Sequence, residues 1–524
     1  MLFLLLLLAA QASRASDDCG TVIIPADSDI TSFNPMFAAN DAELQASQLL
    51  YMGLIWINRF QQIDWSRSLA SKVSTPDAGL TYDVVLRPWR WSDGVAVTAA
   101  DIAYSLQLMR QLNLGAGNGG MPAIIKRLVV RDPSHFKIVL TRRVNTSWFI
   151  DNGLVQLLPL PAHDWSRYSL DQLQQMQSTP AFFKTVDGPL RVARLDVGQD
   201  AVLVRNPAYP GPKPHFQQLI FRFADSDNSA LQMIETNDLD IAPLSFTLWN
   251  AVRNRPGLHV EFLDPRAIYY HIFLDFKNPD VGFFHDLQVR RAIQDAIDQQ
   301  AMIKLLFHGH GLAVLAPLDP SQTAFLAPSL RQGRYVTGYD PRRARQLLEQ
   351  DGYAAGPDGI MARAGKRLSF ISLIPSGSTE SLLMAEMVKA QLRAAGIEMR
   401  LQQREINQLV AQVYAGAPDW QAAYLYTLGG GYPTGELDFA SDGALNAGGY
   451  SDPEMDRLID ASIDAPGTDA LYAYEVYASA QLPVIFDVAP PDVVLVQNRL
   501  HGVKQFYDPT GQLAPEQLTC PHTN

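Results

Sequence analysis

The stretch Thr81–Met109, TYDVVLRPWRWSDGVAVTAADIAYSLQLM, decides how the rest of the chain is read, because three local signals follow one another in it. Tyr82, Val84 and Leu86 alternate with Asp83, Val85 and Arg87, the period-2 pattern of a half-buried strand. Ser92-Asp93-Gly94 then supplies residues suited to a tight turn. Thr98, with Asp101 at the third position after it, predicts a helix N-cap with an acid in the first turn. Ile102, Leu106 and Met109 fall on one apolar face of the helix that follows. Asp93 and Asp101 are therefore read as turn and cap residues, not as catalytic acids.

Around this stretch lies a chain of 524 residues, long enough for more than one compact lobe, since single cores stop growing near ~250–300 residues. Its 47% hydrophobic and 18% charged content is ordinary for a globular protein. Met1–Ala10 is almost wholly apolar, and Ser13 and Ala15 flank Arg14 ahead of Ser16, so residues 1–15 read as a secretory signal peptide. Cys19 follows Ser16-Asp17-Asp18 instead of a small-residue box, which argues for ordinary cleavage and against lipidation. After the leader, no segment is apolar for long enough to span a bilayer.

The net charge of −12 becomes one unit more negative when Arg14 leaves with the leader. That argues against a nucleic-acid or anionic-membrane partner. The only cysteines, Cys19 and Cys520, sit near the two ends. In an oxidising compartment an even pair suggests a disulfide, the alternative being two free thiols, and neither has the neighbours a metal site needs.

The segments that follow read as strands and helices in mixed order. Leu128–Val130 and Phe136–Leu140 bracket Asp132-Pro133-Ser134 as a hairpin. Gly115–Gly120 formally matches G-x-G-x-x-G, but it follows a helix and precedes Met121-Pro122, so it is read as a loop. Val289–Phe307 is expected to be one strong amphipathic helix. Leu368–Ile374, Glu380–Ala395 and Ile397–Leu401 make a βαβ unit, which implies parallel pairing and a right-handed crossover.

With these residues in view, the chain resembles the family 5 extracellular solute-binding proteins of ABC importers, the group of dipeptide- and oligopeptide-binding proteins. The resemblance rests on Leu86-Arg87, Trp91-Ser92-Asp93-Gly94, Thr98-Ala99-Ala100-Asp101, Asn206-Pro207-Ala208-Tyr209, Asp238-Leu239-Asp240-Ile241, Val289-Arg290-Arg291-Ala292-Ile293, Tyr339-Asp340-Pro341, Gly449-Tyr450-Ser451-Asp452-Pro453 and His501-Gly502-Val503, in that order. It implies an α/β, two-lobed periplasmic-binding-protein fold with an extra subdomain in lobe I. Lobe I would comprise residues 16–50, 187–265 and 488–524, the added subdomain 51–186 and lobe II 266–487. A Cys19–Cys520 bridge would then join two ends of one lobe.

The resemblance also implies the function: a periplasmic protein that closes on a small peptide or other small solute and delivers it to an ABC permease, as a monomer and without a cofactor. The alternative is a ligand-sensing or chaperone-like periplasmic protein of the same fold, with a non-peptide ligand such as an opine, a glycoside or a siderophore-like compound. An enzyme is not expected, because HExxH, G-x-S-x-G and Walker A patterns are missing; Arg367 stands where a Ser or Thr would follow the Gly365-Lys366 pair.

In peptide-binding members an Asp-Pro after an aromatic loop pairs with the peptide amine. The corresponding segment here is Trp420–Phe439, WQAAYLYTLGGGYPTGELDF. Aligned on the aromatic, Tyr432-Pro433 replaces Asp-Pro; aligned on Tyr-Pro, Thr434 falls there. Either way the aspartate is missing, and a buried ammonium without a carboxylate is costly. The residues expected at the ligand are Trp420, Tyr424, Tyr426, Gly430, Tyr432 and Thr434, with Glu436 and Asp438 as displaced carboxylates, and Ser32, Phe33 and Asn34 from lobe I. Tyr269-Tyr270 is read as packing near the lobe crossover. His308-Gly309-His310 offers too few ligands for a metal.

Overall fold

The computed structural model describes residues 18–520 apart from 27, 39, 59, 113–120, 264–267, 417, 429–430 and 509–510. Residues 1–15, read as a leader, the Gly115–Gly120 segment and Gly430 lie outside the described residues.

Two α/β lobes stand side by side. In lobe I a four-stranded sheet runs in the order Thr21–Ala26, Gln218–Phe223, Asp200–Arg205, Leu190–Asp196, its first pair parallel and the others antiparallel. A three-stranded antiparallel sheet, with Val493–Gln497 between Leu258–Phe262 and Ile241–Pro243, lies beside it. Lobe II is built on five strands in the order Glu398–Arg404, Ser369–Pro375, Ala422–Leu428, Ile268–Leu274, Ile485–Phe486. The first three are parallel, as the βαβ pattern predicts. The chain passes from one lobe to the other after Phe262 and returns before Val493.

The opening stretch folds as its residues dictate. Thr81–Leu86 is a strand of a four-stranded antiparallel sheet, with Tyr82, Val84 and Leu86 turned into the core. Ala99–Gln111 is the helix, and Thr98 and Asp101 form the capping box. Asp101 also accepts a hydrogen bond from the Ala162 N–H at 3.0 Å, which ties the cap to the next part of this added subdomain.

The Val289–Phe307 segment differs from expectation. It forms two helices, Leu287–Ala296 and Gln299–Leu306, because Ile297 is extended and the Asp298 side chain accepts from the Ala301 N–H, starting a new helix. Cys19 and Cys520 are joined in a disulfide with their Cα atoms 5.1 Å apart.

Candidate functional site

In open α/β sheets ligands gather beyond the carboxyl ends of parallel strands, where helix N-termini also point. Here those ends face each other across the gap between lobes. In lobe I the strands Thr21–Ala26 and Gln218–Phe223 lead to the helix Asp227–Glu235, capped by Ser226. In lobe II, Ser369–Pro375 leads to Thr379–Ala394, capped by Ser378, whose Oγ accepts from the Ser381 N–H at 3.1 Å.

Glu380, in the first turn of the lobe II helix, is the outstanding group of this gap. Burial pushes its carboxyl up to about 7, and the negative charges of Asp227 from lobe I and Asp492 from the returning crossover add to the effect. Among the described residues, no hydrogen bond or ion pair reaches the Glu380 carboxylate. Asp227 is exposed to solvent, yet the surrounding protein removes enough water to raise its carboxyl as well.

Next to Glu380 stands a cluster of tyrosines. Antiparallel pairing sets Tyr270 opposite Tyr426 and Ile272 opposite Tyr424, so all four share one face of the lobe II sheet. The Tyr270 ring stacks on Tyr424 at 5.5 Å, meets Tyr426 edge-on at 5.6 Å, and its hydroxyl lies 3.3 Å from Ser381 Oγ. Tyr424 is fully buried and donates to Asp487 Oδ2 at 2.6 Å. Burial lifts the Asp487 carboxyl to about 7, while this hydrogen bond opposes the shift. Tyr426, by contrast, is 48% exposed.

The segment after Tyr426 makes a different kind of contact. Asn152 of the added subdomain grips the Tyr432 backbone from both sides: its Oδ1 accepts from the Tyr432 N–H at 2.8 Å and its Nδ2 donates to the Tyr432 carbonyl at 2.9 Å. Gly431 is positioned for this, with φ +59° and a site where a Cβ would lie 1.9 Å from Asn152 Oδ1. The Tyr432 hydroxyl donates to the Gly467 carbonyl at 3.1 Å, and its ring meets Phe325 edge-on at 5.0 Å. Beside it Asn145 Nδ2 donates to the carbonyls of Ala465 at 2.7 Å and Gly467 at 2.6 Å. The added subdomain and lobe II are thus clasped away from the crossovers.

Several expected ligand residues therefore have internal roles, which differs from the expectation of side chains open to a solute. Ser32, Phe33 and Asn34 are buried: Ser32 Oγ accepts from the Asn34 N–H, Asn34 Oδ1 accepts from the Met36 N–H, and Phe33 packs edge-on against Phe183. Trp420, Tyr424, Tyr432 and Thr434 are buried too.

Tyr426 is open, Glu436 is half-buried, and Asp438 is half-buried with its carboxyl raised by burial to about 6. Tyr269 is buried, in keeping with packing near the crossover. His308 and His310 pack on lobe I aromatics, His308 at 5.7 Å from Trp249 and His310 stacked on Phe262 at 3.7 Å. No group of three or more metal-ligating side chains gathers among the described residues.

The sequence reading missed Glu380 and Asp227. The signal was present: each stands in the first turn of a helix that directly follows a strand of a parallel pair.

Two lobes joined by two crossovers, with helix N-termini facing across the gap, define a protein that holds a solute by closing on it. The chain belongs to the bacterial extracellular solute-binding proteins, family 5, whose model matches residues 65–442. It is the substrate-binding component of an ABC importer, a member of a family of binding proteins that take small peptides or other solutes and work with an ABC permease. The oligopeptide-binding protein AppA of Bacillus subtilis is 22% identical over 415 residues, 79% of this chain and 74% of the relative. The glutathione-binding protein GsiB of Salmonella typhi is 23% identical over 442 residues, 83% and 78% of the two chains. Among solved structures, CtaP of Listeria monocytogenes, an ABC transporter substrate-binding protein, superposes with a TM-score of 0.81 at 17% identity, over 96% of this chain and 99% of that one. NikZ of Campylobacter jejuni, solved with Ni(L-His), gives 0.76 at 19% identity, over 96% and 100%. No helix among the described residues is long and apolar enough to cross a membrane.

Proposed function

We propose that this periplasmic protein captures a small solute bearing a cationic nitrogen, such as an amine or guanidinium group, and that Glu380 pairs with that group. Lobe I with its added subdomain, taken as residues 16–265 and 488–524, closes against lobe II, residues 266–487. The protein acts as a monomer, catalyses no reaction and binds no nucleic acid.

The observation that carries this reading is the Glu380 carboxylate, desolvated between the lobes with no cationic partner among the described residues. A buried carboxylate is stable as an anion only when something positive joins it. Asp227 from the facing lobe adds charge of the same sign, so a cation between them attracts both lobes and favours closure. The exposed face of Tyr426, with Tyr270 behind it, suits a cation or the carbon chain that bears one.

The fold does not by itself choose a ligand. Structures of similar fold were solved with a nonapeptide, with Ni(L-His) and with Fe(III)-EDTA. Basic peptides, polyamines and amino-bearing small molecules all meet the chemical requirement here. Native mass spectrometry of freshly purified protein, followed by a thermal-shift panel of amines, basic peptides, neutral sugars and anionic chelates, tests the reading. The expected result is a carried or stabilising compound with a protonatable nitrogen. Stabilisation by neutral or purely anionic compounds alone overturns it.

A further inference from the structure

A cavity of about 500 Å³ opens on the seam between lobe I and the added subdomain. Its lobe I wall comes from Arg191 and the Asn206–Ala208 turn, where one antiparallel strand begins and its neighbour ends, and Arg205 lies next to Gln217 and Gln218 at the start of Gln218–Phe223. The cleft is at the other end of that strand.

The subdomain wall contains Asp93, His163, Asp164, Arg167 and Lys184. The Ser92-Asp93 turn of the opening stretch helps to build it: Ser92 Oγ donates to the Lys184 carbonyl at 2.7 Å and accepts from the Val186 N–H at 3.1 Å. This fixes the backbone that carries Lys184.

The charges of this cavity do not balance. Asp93 is engaged by the Val95 N–H at 3.0 Å and by His163 Nε2 at 2.8 Å. Asp164 pairs with Arg167 and accepts from Thr185 Oγ1 at 2.9 Å. Lys184 and Arg191 have no acidic partner among the described residues. Against two carboxylates, Asp93 and Asp164, the lining carries three permanent cations, Arg167, Lys184 and Arg191, so the cavity keeps a net positive charge in a chain whose net charge is −12. The volume falls within the ~300–1,000 Å³ of small-molecule sites.

We infer that this seam cavity is a second binding site, for a small anion with two or more carboxylate or phosphate groups, held by Lys184 and Arg191. Arg191 offers a planar fork to one acidic group and Lys184 a point charge to another. Because its walls come from both units, a bound anion fixes the added subdomain on lobe I. The site is independent of the solute cleft.

Isothermal titration of the full chain with citrate and, separately, with pyrophosphate tests this, using the wild type, the K184Q/R191Q double variant and E380Q as a cleft control. Both changes in the double variant are on the surface, and thermal melts confirm that it folds. Saturable binding of one equivalent of either anion is expected, weakened roughly tenfold or more in the double variant and unchanged in E380Q. Citrate alone binding assigns the site to carboxylates, and pyrophosphate alone to phosphates. No saturable binding of either anion, or equal binding by the double variant, overturns the proposal.

Discussion

Two turns at the cleft edge of lobe II follow adjacent parallel strands, and they treat their polar groups in opposite ways. After Ala422–Leu428, the chain reaches Tyr432, whose backbone N–H and carbonyl are both taken by Asn152 and whose hydroxyl is taken by Gly467. After Ser369–Pro375, it reaches Glu380, whose carboxylate is desolvated and has no partner among the described residues. A satisfied turn holds the lobes together, whereas an unsatisfied one waits for a ligand. Under the proposed function the Tyr432 turn serves closure and the Glu380 turn recognition, and mutations should separate the two.

The largest effect is expected from Glu380→Ala. It should weaken cationic ligands by about ten- to a hundredfold, the loss of one charge-assisted hydrogen bond, while the melting temperature of the free protein holds or rises because a desolvated acid is gone. Calorimetric titration with the strongest compound of the thermal-shift panel, alongside melts, checks both parts.

Asn152→Ala should have the next largest effect and a different signature. It removes two hydrogen bonds that join the added subdomain to lobe II, so, if these bonds favour closure, every ligand should bind about tenfold more weakly, whatever its charge. Small-angle scattering should show a larger average radius of the free protein. If Asn152→Ala instead affects only cationic ligands, closure and recognition are not separate. Gly431→Ala should act in the same direction, because its Cβ would collide with Asn152 Oδ1.

Tyr426→Ala should weaken binding a few-fold, the magnitude of a partly exposed cation–π contact, and Tyr426→Phe should leave it nearly unchanged. Equal losses in the two variants would assign the hydroxyl, not the ring, to the ligand. The smallest effect on affinity is expected from replacing Cys19 and Cys520 together by Ser. The bridge spans 501 residues between the ends of the chain, so its loss should lower the melting temperature by the equivalent of a few kcal/mol without changing ligand affinity.

How much of this was legible in the sequence depends on how local each feature is. The Thr81–Met109 stretch could be read residue by residue because its strand, turn and cap are decided within a few positions. The parallel unit of lobe II was readable for the same reason. The break at Ile297 was not, since the helical periodicity continues across it and only the Asp298 cap interrupts the backbone.

The cleft was less legible still. That an aspartate is missing from the Tyr432–Thr434 segment could be seen, but Asn152, the partner of Tyr432, is 280 positions away, so the clasp could not. A carboxylate becomes notable when no cation approaches it. For Glu380 that depends on Asp227 and Asp492, which arrive from other parts of the chain. The inward turn of Phe33 and Tyr424 likewise depends on Phe183 and Asp487, partners that sequence spacing does not reveal.

The pH dependence of cation binding tests the central claim most directly. Burial holds the Glu380 carboxyl at about 7 in the free protein, above the usual carboxylate range. A bound cation favours the ionised form, so binding releases a proton whenever the free group is protonated. In a titration of the strongest amine from the panel, affinity should therefore rise with pH up to about 7 and then level off, with a limiting slope of about tenfold per pH unit below that point. In E380Q the curve should be flat and low. A flat curve for the wild type, or the same rise in E380Q, would contradict the assignment of Glu380 as the group that reads the ligand.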